Sequence, residues 1–550
     1  MRAACLLVIA ACATPRIATP RFHNAPPVSA VNDRLDVPVQ PKAHESLLGL
    51  YFFDGVFGRQ VTRALELPRA RRALGVNSLD EVPDSTWFTN RIGVRELSLD
   101  ELRRGPLVAG SPEPHKPWTI LSSKRGGVSV GFVIRDARGE KYLLKFDPRG
   151  QPEAETAADV ITNRLLWAFG YNVPEDYVVH LRRDELVLSP KATTKDALGH
   201  KIPLDQADVD RSLELVEIGR DGAIRGMVSR ILDGAWLGGH PGEGVRSDDP
   251  NDRIPYELRR DLRGQFAPFA WLDHVDIKEH NTLDMWVADR ENPKHHYVKH
   301  YLIDFGKSLG FMATDAHNLR RGYSFEVDYG DILASLVSMG LWTRPWEDRT
   351  QPALRGVGAF GADTFDPAGW KPHSQAYLPI QLADRFDKFW GAKILMRFTR
   401  AQLRAVVELG QLSDPRATDY LVDTLVARQR LTGQHWFRQV NPLDGFAIER
   451  VTGGHALCFD DLALRYQLAS TVATRYRLRR YDREGRLLAD HAILAATART
   501  CPPAILSEAG DGYTIVELTT TRPGFSGSTL VHLARDPVSR EPRVIGVWRP

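Results

Sequence analysis

Two short polar stretches, each set against an apolar run, constrain this chain most. His274-Val275-Asp276-Ile277-Lys278-Glu279-His280-Asn281 holds an Asp and an Asn five residues apart, with a Lys between them. Further along, Asp304-Phe305-Gly306 closes the apolar run Tyr301-Leu302-Ile303. Upstream, Lys145 lies in the strand-like stretch Lys141-Tyr142-Leu143-Leu144-Lys145-Phe146. A carboxylate and an amide oxygen are hard donors of the kind magnesium prefers. If these groups act together, the fold must bring Lys145, Asp276, Asn281 and Asp304 to one cleft. Read one at a time, Asp276 and Asn281 are also ordinary loop residues, and Asp304 is also the end of a strand.

Taken in this order, the residues resemble the protein-kinase superfamily, whose catalytic loop reads H-R-D-L-K-P-E-N. His274 to Asn281 matches it at His, Asp, Lys and Asn, and Asp304 to Gly306 is a literal D-F-G. Phosphoryl transfer depends on positioning and charge neutralisation, with little covalent help from the protein. The resemblance therefore implies ATP and Mg²⁺ as cofactors. Asp276 is then the base that takes the proton of an acceptor hydroxyl, and Lys278 neutralises charge on the transferred group. Asn281 and Asp304 are the metal ligands, and Lys145 grips the α/β-phosphates.

The segments between these residues fit a small lobe followed by a large one. Pro117 to Leu121 reads as a strand and Lys124 to Ile134 as a Gly-containing turn and a second strand, with Asp136-Ala137-Arg138-Gly139 as the hairpin turn that returns the chain to Lys145. Gly126, Gly127 and Gly131 sit where a glycine loop covers phosphates in kinases, although they do not spell G-x-G-x-x-G. A plain hairpin turn is the other reading. A helix runs from Glu153 to Phe169, with Pro152 at its start and Gly170 at its end. Glu153, Glu155 and Asp159 compete to pair with Lys145. Gly170-Tyr171-Asn172-Val173-Pro174 resembles the G-x-x-V-P end of this helix in HipA-type kinases, and counting back by that pattern lands on Asp159. Asp233 to Gly239 reads as the hinge where a nucleotide base docks. Tyr256 to Leu272 reads as one long helix, and Thr282 to Val287 with Tyr297 to Ile303 as a hairpin that presents Asp304. Two further helices, Ala392 to Gly410 and Asp414 to Thr432, close the large lobe.

The chain also departs from typical protein kinases. Val275 replaces the Arg that binds a phosphorylated activation loop, and no A-P-E follows Asp304. The resemblance therefore moves to atypical members: HipA-type, spore-coat CotH-type and lipid kinases. The expected fold is α+β. It has a two-lobed, protein-kinase-like body (small lobe 111–235, large lobe 236–439) and an additional C-terminal all-β, sandwich-like domain at 440–550. A binding scaffold on the same fold, or a structural envelope protein, are the alternatives to an active kinase.

The 550 residues are 43% hydrophobic and 26% charged, with net charge +3. No basic stripe interleaved with aromatics points to nucleic acid. Met1 to Cys12 carries Arg2, a short apolar run and Ile9-Ala10-Ala11-Cys12, which resembles a bacterial lipobox with Cys12 as the lipidated residue. That reading implies a lipid-anchored protein of the bacterial cell envelope, held to the membrane by lipid alone, because no later run approaches the ~18 apolar residues of a spanning helix. A misassigned start or a plain tail are the other readings of this segment. Residues 13–45 contain Pro15, Pro20, Pro26, Pro27, Pro38 and Pro41 and read as a tether. Residues 46–110 form an N-terminal extension without a legible function. Cys458 and Cys501 form either a disulfide or two buried thiols.

Overall fold

The alternating stretch around Lys145 is the third strand of a seven-stranded mixed sheet. The computed structural model describes residues 16–45, 47–65, 71–124, 129–196, 199–311, 319–347 and 349–550. The chain divides into two compact units. One is Ala30–Gly75 with Val82–Trp436, and the other is Met1–Ser29, Val76–Glu81 and Phe437–Pro550.

In the larger unit, β1 (Trp118–Ser123), β2 (Gly131–Arg135), β3 (Lys141–Phe146), β4 (Asp176–Leu181), β5 (Leu186–Lys195), β6 (Lys201–Pro203) and β7 (Ile224–Arg230) lie in the order β4-β7-β3-β2-β1-β5-β6. Only β1 and β5 run parallel. The turn between β2 and β3 forms where expected. Asp136 Oδ1 accepts from the backbone N–H groups of Arg138 and Glu140, and Gly139 takes the left-handed conformation that closes the turn. Side chains alternate faces along a strand. Leu144 accordingly joins an apolar core with Trp118, Ile120, Phe132, Tyr142 and Val228, while its neighbour Lys145 points to the opposite face. The helix Ala154–Phe169 packs with Val160 against Val178 of β4 and Met227 of β7. It ends at Gly170, where a Cβ would lie 2.2 Å from the Phe88 ring, so only glycine fits.

The single long helix expected at Tyr256 to Leu272 is a correction. The chain forms a 3-10 turn, Tyr256–Leu258, and two short helices, Arg260–Arg263 and Phe266–Leu272. The break falls at Gly264, where the Trp390 ring lies 2.3 Å from the position a Cβ would take. Arg260 and Arg263 both turn inward to Asp387 at 2.7 Å. Tyr256–Leu272 is therefore buried on several sides rather than along one stripe, and apolar spacing alone does not show that. The expected pair of closing helices becomes three: Arg385–Leu395, Arg400–Val407 and Pro415–Trp436. Thr399 starts the second by accepting from Gln402 N. A second sheet, in the order β10-β9-β8, joins β8 (Ala235–Trp236), β9 (Thr282–Ala288) and β10 (His296–Leu302).

The tether reading of 13–45 is also corrected. In the larger unit the backbone N–H of Val37 donates to His296 O, that of His44 to Leu237 O and that of Lys42 to Asp248. In the smaller unit Ile17 and Phe22 pack with Tyr481, Tyr513 and Ile545, and Asn24 donates to Asp511 and Arg535. Prolines here remove donors without freeing the chain; apolar residues between them anchor it.

Among its described residues, the smaller unit is all-β apart from one short helix, Leu462–Arg465. β11 (Leu443–Val451), β12 (Gly454–Asp461) and β15 (Arg499–Thr500) form one sheet. β13 (Arg475–Tyr481), β14 (Leu487–Leu494), β16 (Thr514–Arg522), β17 (Phe525–Arg535) and β18 (Pro542–Trp548) form the other, ordered β14-β13-β16-β17-β18. Leu457 and Phe459 of the first sheet share a core with Leu478, Leu518, Val531 and Leu533 of the second. That is the sandwich arrangement. Cys458 and Cys501 are joined as a disulfide that ties β12 to the residue after β15.

Candidate functional site

Lys145 sits at the centre of the site because β3 carries it to the face covered by the helix Ala154–Phe169. Its Nζ lies 3.0 Å from Asp159 Oδ2 and 2.6 Å from Asp304 Oδ1. Of the three competing acids, Asp159 is the one that reaches it. Glu153 sits at the helix start, where Arg355 and the backbone N–H of Ser413 donate to it. Glu155 accepts from Ser129 Oγ at 2.6 and 2.8 Å. Burial lifts the Glu155 carboxyl to about 7. Burial would pull Lys145 down, but Asp159 and Asp304 outweigh it and lift the ammonium well above its ordinary value.

Asp304 follows β10 with φ +63°, a left-handed conformation that few residues other than glycine adopt. Burial works against its charge, but Lys145 prevails and leaves it at about 2. Its side chain is 41% exposed even while Oδ1 touches Lys145. Gly306, two residues on, lets Glu155 approach: a Cβ there would meet Glu155 Cγ at 2.8 Å. The D-F-G spacing thus has a steric reason in this chain. Phe305 is buried and its ring lies 5.9 Å from that of His274. Burial also lowers the His274 imidazole to about 4, so it is a neutral packing group.

The loop that holds Asp276 is fixed at several points. The backbone N–H of His274 donates to Phe269 O, that of His373 to Val275 O and that of Ile303 to Asn281 O. Asn281 Nδ2 donates to the Asp276 carbonyl at 2.7 Å, which orients the amide relative to Asp276. Lys278 Nζ lies 2.8 Å from both carboxylate oxygens of Asp276. Lys307 Nζ lies 2.8 Å from Oδ2. Burial opposes the charge of Asp276, but the two lysines together hold the carboxyl well below the usual range.

Lys307 was not legible as a site residue. It follows D-F-G directly, but no pattern gives a residue there a role. Lys124 was missed for a similar reason: it precedes the glycines. Its stem lies over Gly131, where a Cβ would be 3.1 Å from Lys124 Cδ, and its Nζ donates to Ser129 O. Burial, then the neighbouring Lys145, lowers its pKa. Gly126 and Gly127, expected in the phosphate loop, lie outside the described residues, as does Cys12.

The expected hinge is more occupied than the sequence suggests. Leu237 N donates to Asp284 O, and Leu237 O accepts from His44 N. Gly238 and Gly239 are needed for closeness: Cβ atoms there would lie 2.1 Å from His44 O and 2.0 Å from Glu279 O. Below the loop, the Nδ1–H groups of His300 and His240 donate to Asp284 Oδ1 at 2.7 and 3.3 Å, and Tyr377 OH lies 3.0 Å from His240 Nε2. Asp284 can only accept, which sets both tautomers. The three residues could surround a cation by proximity, but hydrogen bonds among themselves and with Tyr377 already use these nitrogens and Asp284 Oδ1. They form a hub that fixes β9, and with it Asn281.

No protein-family model matches the chain, and no curated protein matches it. Among solved structures it is similar to the Golgi casein kinase with Mn/ADP bound, at 12% identity and TM-score 0.31, covering 62% of this chain and 74% of that one. A second structure of the Golgi casein kinase gives 11%, 0.30, 62% and 75%. The Rio2 kinase–ADP/Mg²⁺–phosphoaspartate complex from Chaetomium thermophilum gives 16%, 0.20, 53% and 70%. Likeness at this level concerns fold alone. The chemistry of this site rests on its own residues.

Proposed function

We propose that the chain is a divergent kinase-like phosphotransferase that moves the ATP γ-phosphate to a hydroxyl acceptor. One observation carries the reading: Lys145 of β3 pairs with an acid of the following helix and with the Asp of D-F-G, and Asp276 stands on a loop tied to the same strand end. A lysine on the third strand paired with an acid on the next helix is the arrangement that positions ATP phosphates in kinases.

The donor set fits magnesium. Asp304 is ionised and partly exposed, and Asn281 supplies an amide; both are hard oxygen donors. The ion's contribution is to neutralise phosphate charge. The protein's own residues do the rest. Lys145 holds the α/β-phosphates, Lys278 and Lys307 offset charge on the transferred group, and Asp276 takes the acceptor proton. On this reading the sheet β1–β7 with its helix is the small lobe and the helices from Phe266 to Trp436 belong to the large one. Lipid anchoring through Cys12 in a bacterial envelope belongs to the same proposal, with Cys12→Ser expected to release the protein from the membrane fraction.

A binding role without turnover is favoured by one observation. Asp304 already spans to Lys145 at 2.6 Å, and that pair must exchange before both can serve a nucleotide. Turnover decides between the two. Full-length protein with Mg-ATP should release ADP or phosphorylate itself, and Asp276→Asn should stop this while nucleotide still binds. Binding without any ADP release, with a panel of envelope hydroxyl acceptors, would favour the scaffold.

A further inference from the structure

Away from the cleft, the larger unit exposes apolar side chains at a density that solvent does not favour. The helix Tyr329–Val337 and the residues after it show Leu333 at 62%, Leu336 at 70%, Val337 at 77%, Met339 at 91% and Leu341 at 87%. A second apolar segment lies beside it. The helical stretch from Leu48 to Leu65 exposes Leu50 and Phe53, each at 64%, and Val61 at 63%. Tyr329 OH donates to Val56 O at 3.1 Å, so the two segments adjoin. Scattered exposed apolar residues are normal; a contiguous set of this kind marks an interaction surface.

We infer that this face docks on the surface of a lipid bilayer. Three observations select that occupant over a second copy of the chain. First, Ile332 to Leu341 contains no charged residue, and Ser338 turns its hydroxyl back to Ser335 O. A protein interface carries roughly one hydrogen bond per 100–200 Å², and this stretch offers almost nothing to meet one; hydrocarbon needs none. Second, Trp342 and Trp346 follow directly, their rings 6.4 Å apart. Tryptophan at the edge of an apolar face suits the headgroup zone. Third, each acid at the rim has a cationic partner: Asp54 and Glu243 share Arg59, Glu347 pairs with Arg344, and Asp328 and Asp331 share Lys371. An apolar helix face rimmed by Trp and Arg is the chemistry of interfacial binding.

The face also reaches the catalytic loop. Tyr51, within the second segment, accepts from the backbone N–H of Glu279 at 3.4 Å. Docking would set Asp276 beside the bilayer. The docking itself stands apart from the phosphotransferase reading.

The test is flotation with phosphatidylglycerol vesicles and with phosphatidylcholine vesicles. It uses the full chain as Cys12→Ser, so that no acyl anchor contributes and every variant shares the same leader. Leu336→Asp with Met339→Asp should weaken vesicle binding by about tenfold or more, because apolar area and charge both count at the interface. Both side chains are mostly in solvent, so the fold should survive, as circular dichroism checks. Val538→Asp, at a 91% exposed site in the smaller unit, is the control and should bind as before. Absence of vesicle binding by the parent chain, or equal binding by the patch variant, would overturn the proposal. A parent that sediments as a dimer and a patch variant that sediments as a monomer, with no difference on vesicles, would assign the face to a second copy instead.

Discussion

Two clusters a few residues from each other carry opposite charge balance. Around Lys145, one ammonium lies beside two carboxyls: Asp304, which Lys145 keeps ionised, and Asp159, which burial raises. Around Asp276, one carboxylate faces two ammonium groups, Lys278 and Lys307. Buried charges persist only when compensated, and neither cluster is balanced by its own members. The first lacks positive charge and suits a cation; the second lacks negative charge and suits an anion. Mg²⁺ beside Asp304 and a phosphoryl group beside Lys278 and Lys307 would complete both together.

The largest effect should come from Asp276→Asn. The amide keeps the shape but cannot accept a proton, and losing a general base typically costs on the order of 10²–10⁴-fold in rate. Mg-ATP affinity, read by calorimetry, should stay nearly unchanged. A variant that loses both would place Asp276 in the nucleotide site and break the distinction between clusters.

Next is stability. Lys145→Met strands two carboxylates and should cost about 3–5 kcal/mol in urea unfolding at pH 7. Lys278→Met leaves Lys307 on Asp276 and should cost less than ~1 kcal/mol, since both lysines remain partly exposed. The contrast has a pH signature. Asp304 is depressed to about 2 by its partners. Its contribution to wild-type stability is present above the unfolded carboxyl value of ~3.9 and is lost as pH falls towards about 2. The deficit of Lys145→Met should therefore shrink below pH ~4. Equal deficits for the two lysine variants would show that the clusters are alike.

Lys307→Met should lower turnover by about tenfold while leaving nucleotide binding in place, because Lys278 still covers Asp276. A loss confined to nucleotide binding would move Lys307 into the first cluster.

Glu155→Gln should act in the opposite direction, and only at higher pH. A carboxyl raised to about 7 in the folded protein lowers stability as pH climbs from its unfolded value near ~4.3 to that point. The variant should be more stable than wild type by up to about 3–4 kcal/mol at pH 8 and equal to it near pH 4.5. A pH-independent difference would mean that Glu155 is ionised throughout and belongs to the charge balance of the first cluster.

The sequence shows Lys145, Asp276, Asn281 and Asp304 because each stands where a periodic run ends: Lys145 late in an alternating strand, Asp276 and Asn281 just after the segment ending at Leu272, Asp304 after β10. It does not show Lys124 or Lys307, whose importance is purely spatial. Three acids within reach of Lys145 look alike in sequence; only the packing of the helix Ala154–Phe169 on β4 and β7 selects Asp159. The Pro-rich segment misleads because composition reports stiffness and missing donors, whereas Val37 and Phe22 decide that it is bound. The sandwich at the C-terminus is legible from alternation, as in β13, where Tyr476 and Leu478 are buried and Arg475 and Arg477 are exposed. The break at Gly264 is not, because it depends on Trp390, far along the chain.

The central claim is that the cluster around Lys145 takes a metal-bound nucleotide through Asp304. The most direct measurement is calorimetric titration of ATP into the full-length protein, with Mg²⁺ and then with excess chelator, for wild type and Asp304→Asn. The account predicts saturable binding to wild type that requires Mg²⁺, and loss of that requirement together with most of the affinity in Asp304→Asn. ATP binding that is equal with and without Mg²⁺, or equal in wild type and Asp304→Asn, would contradict it.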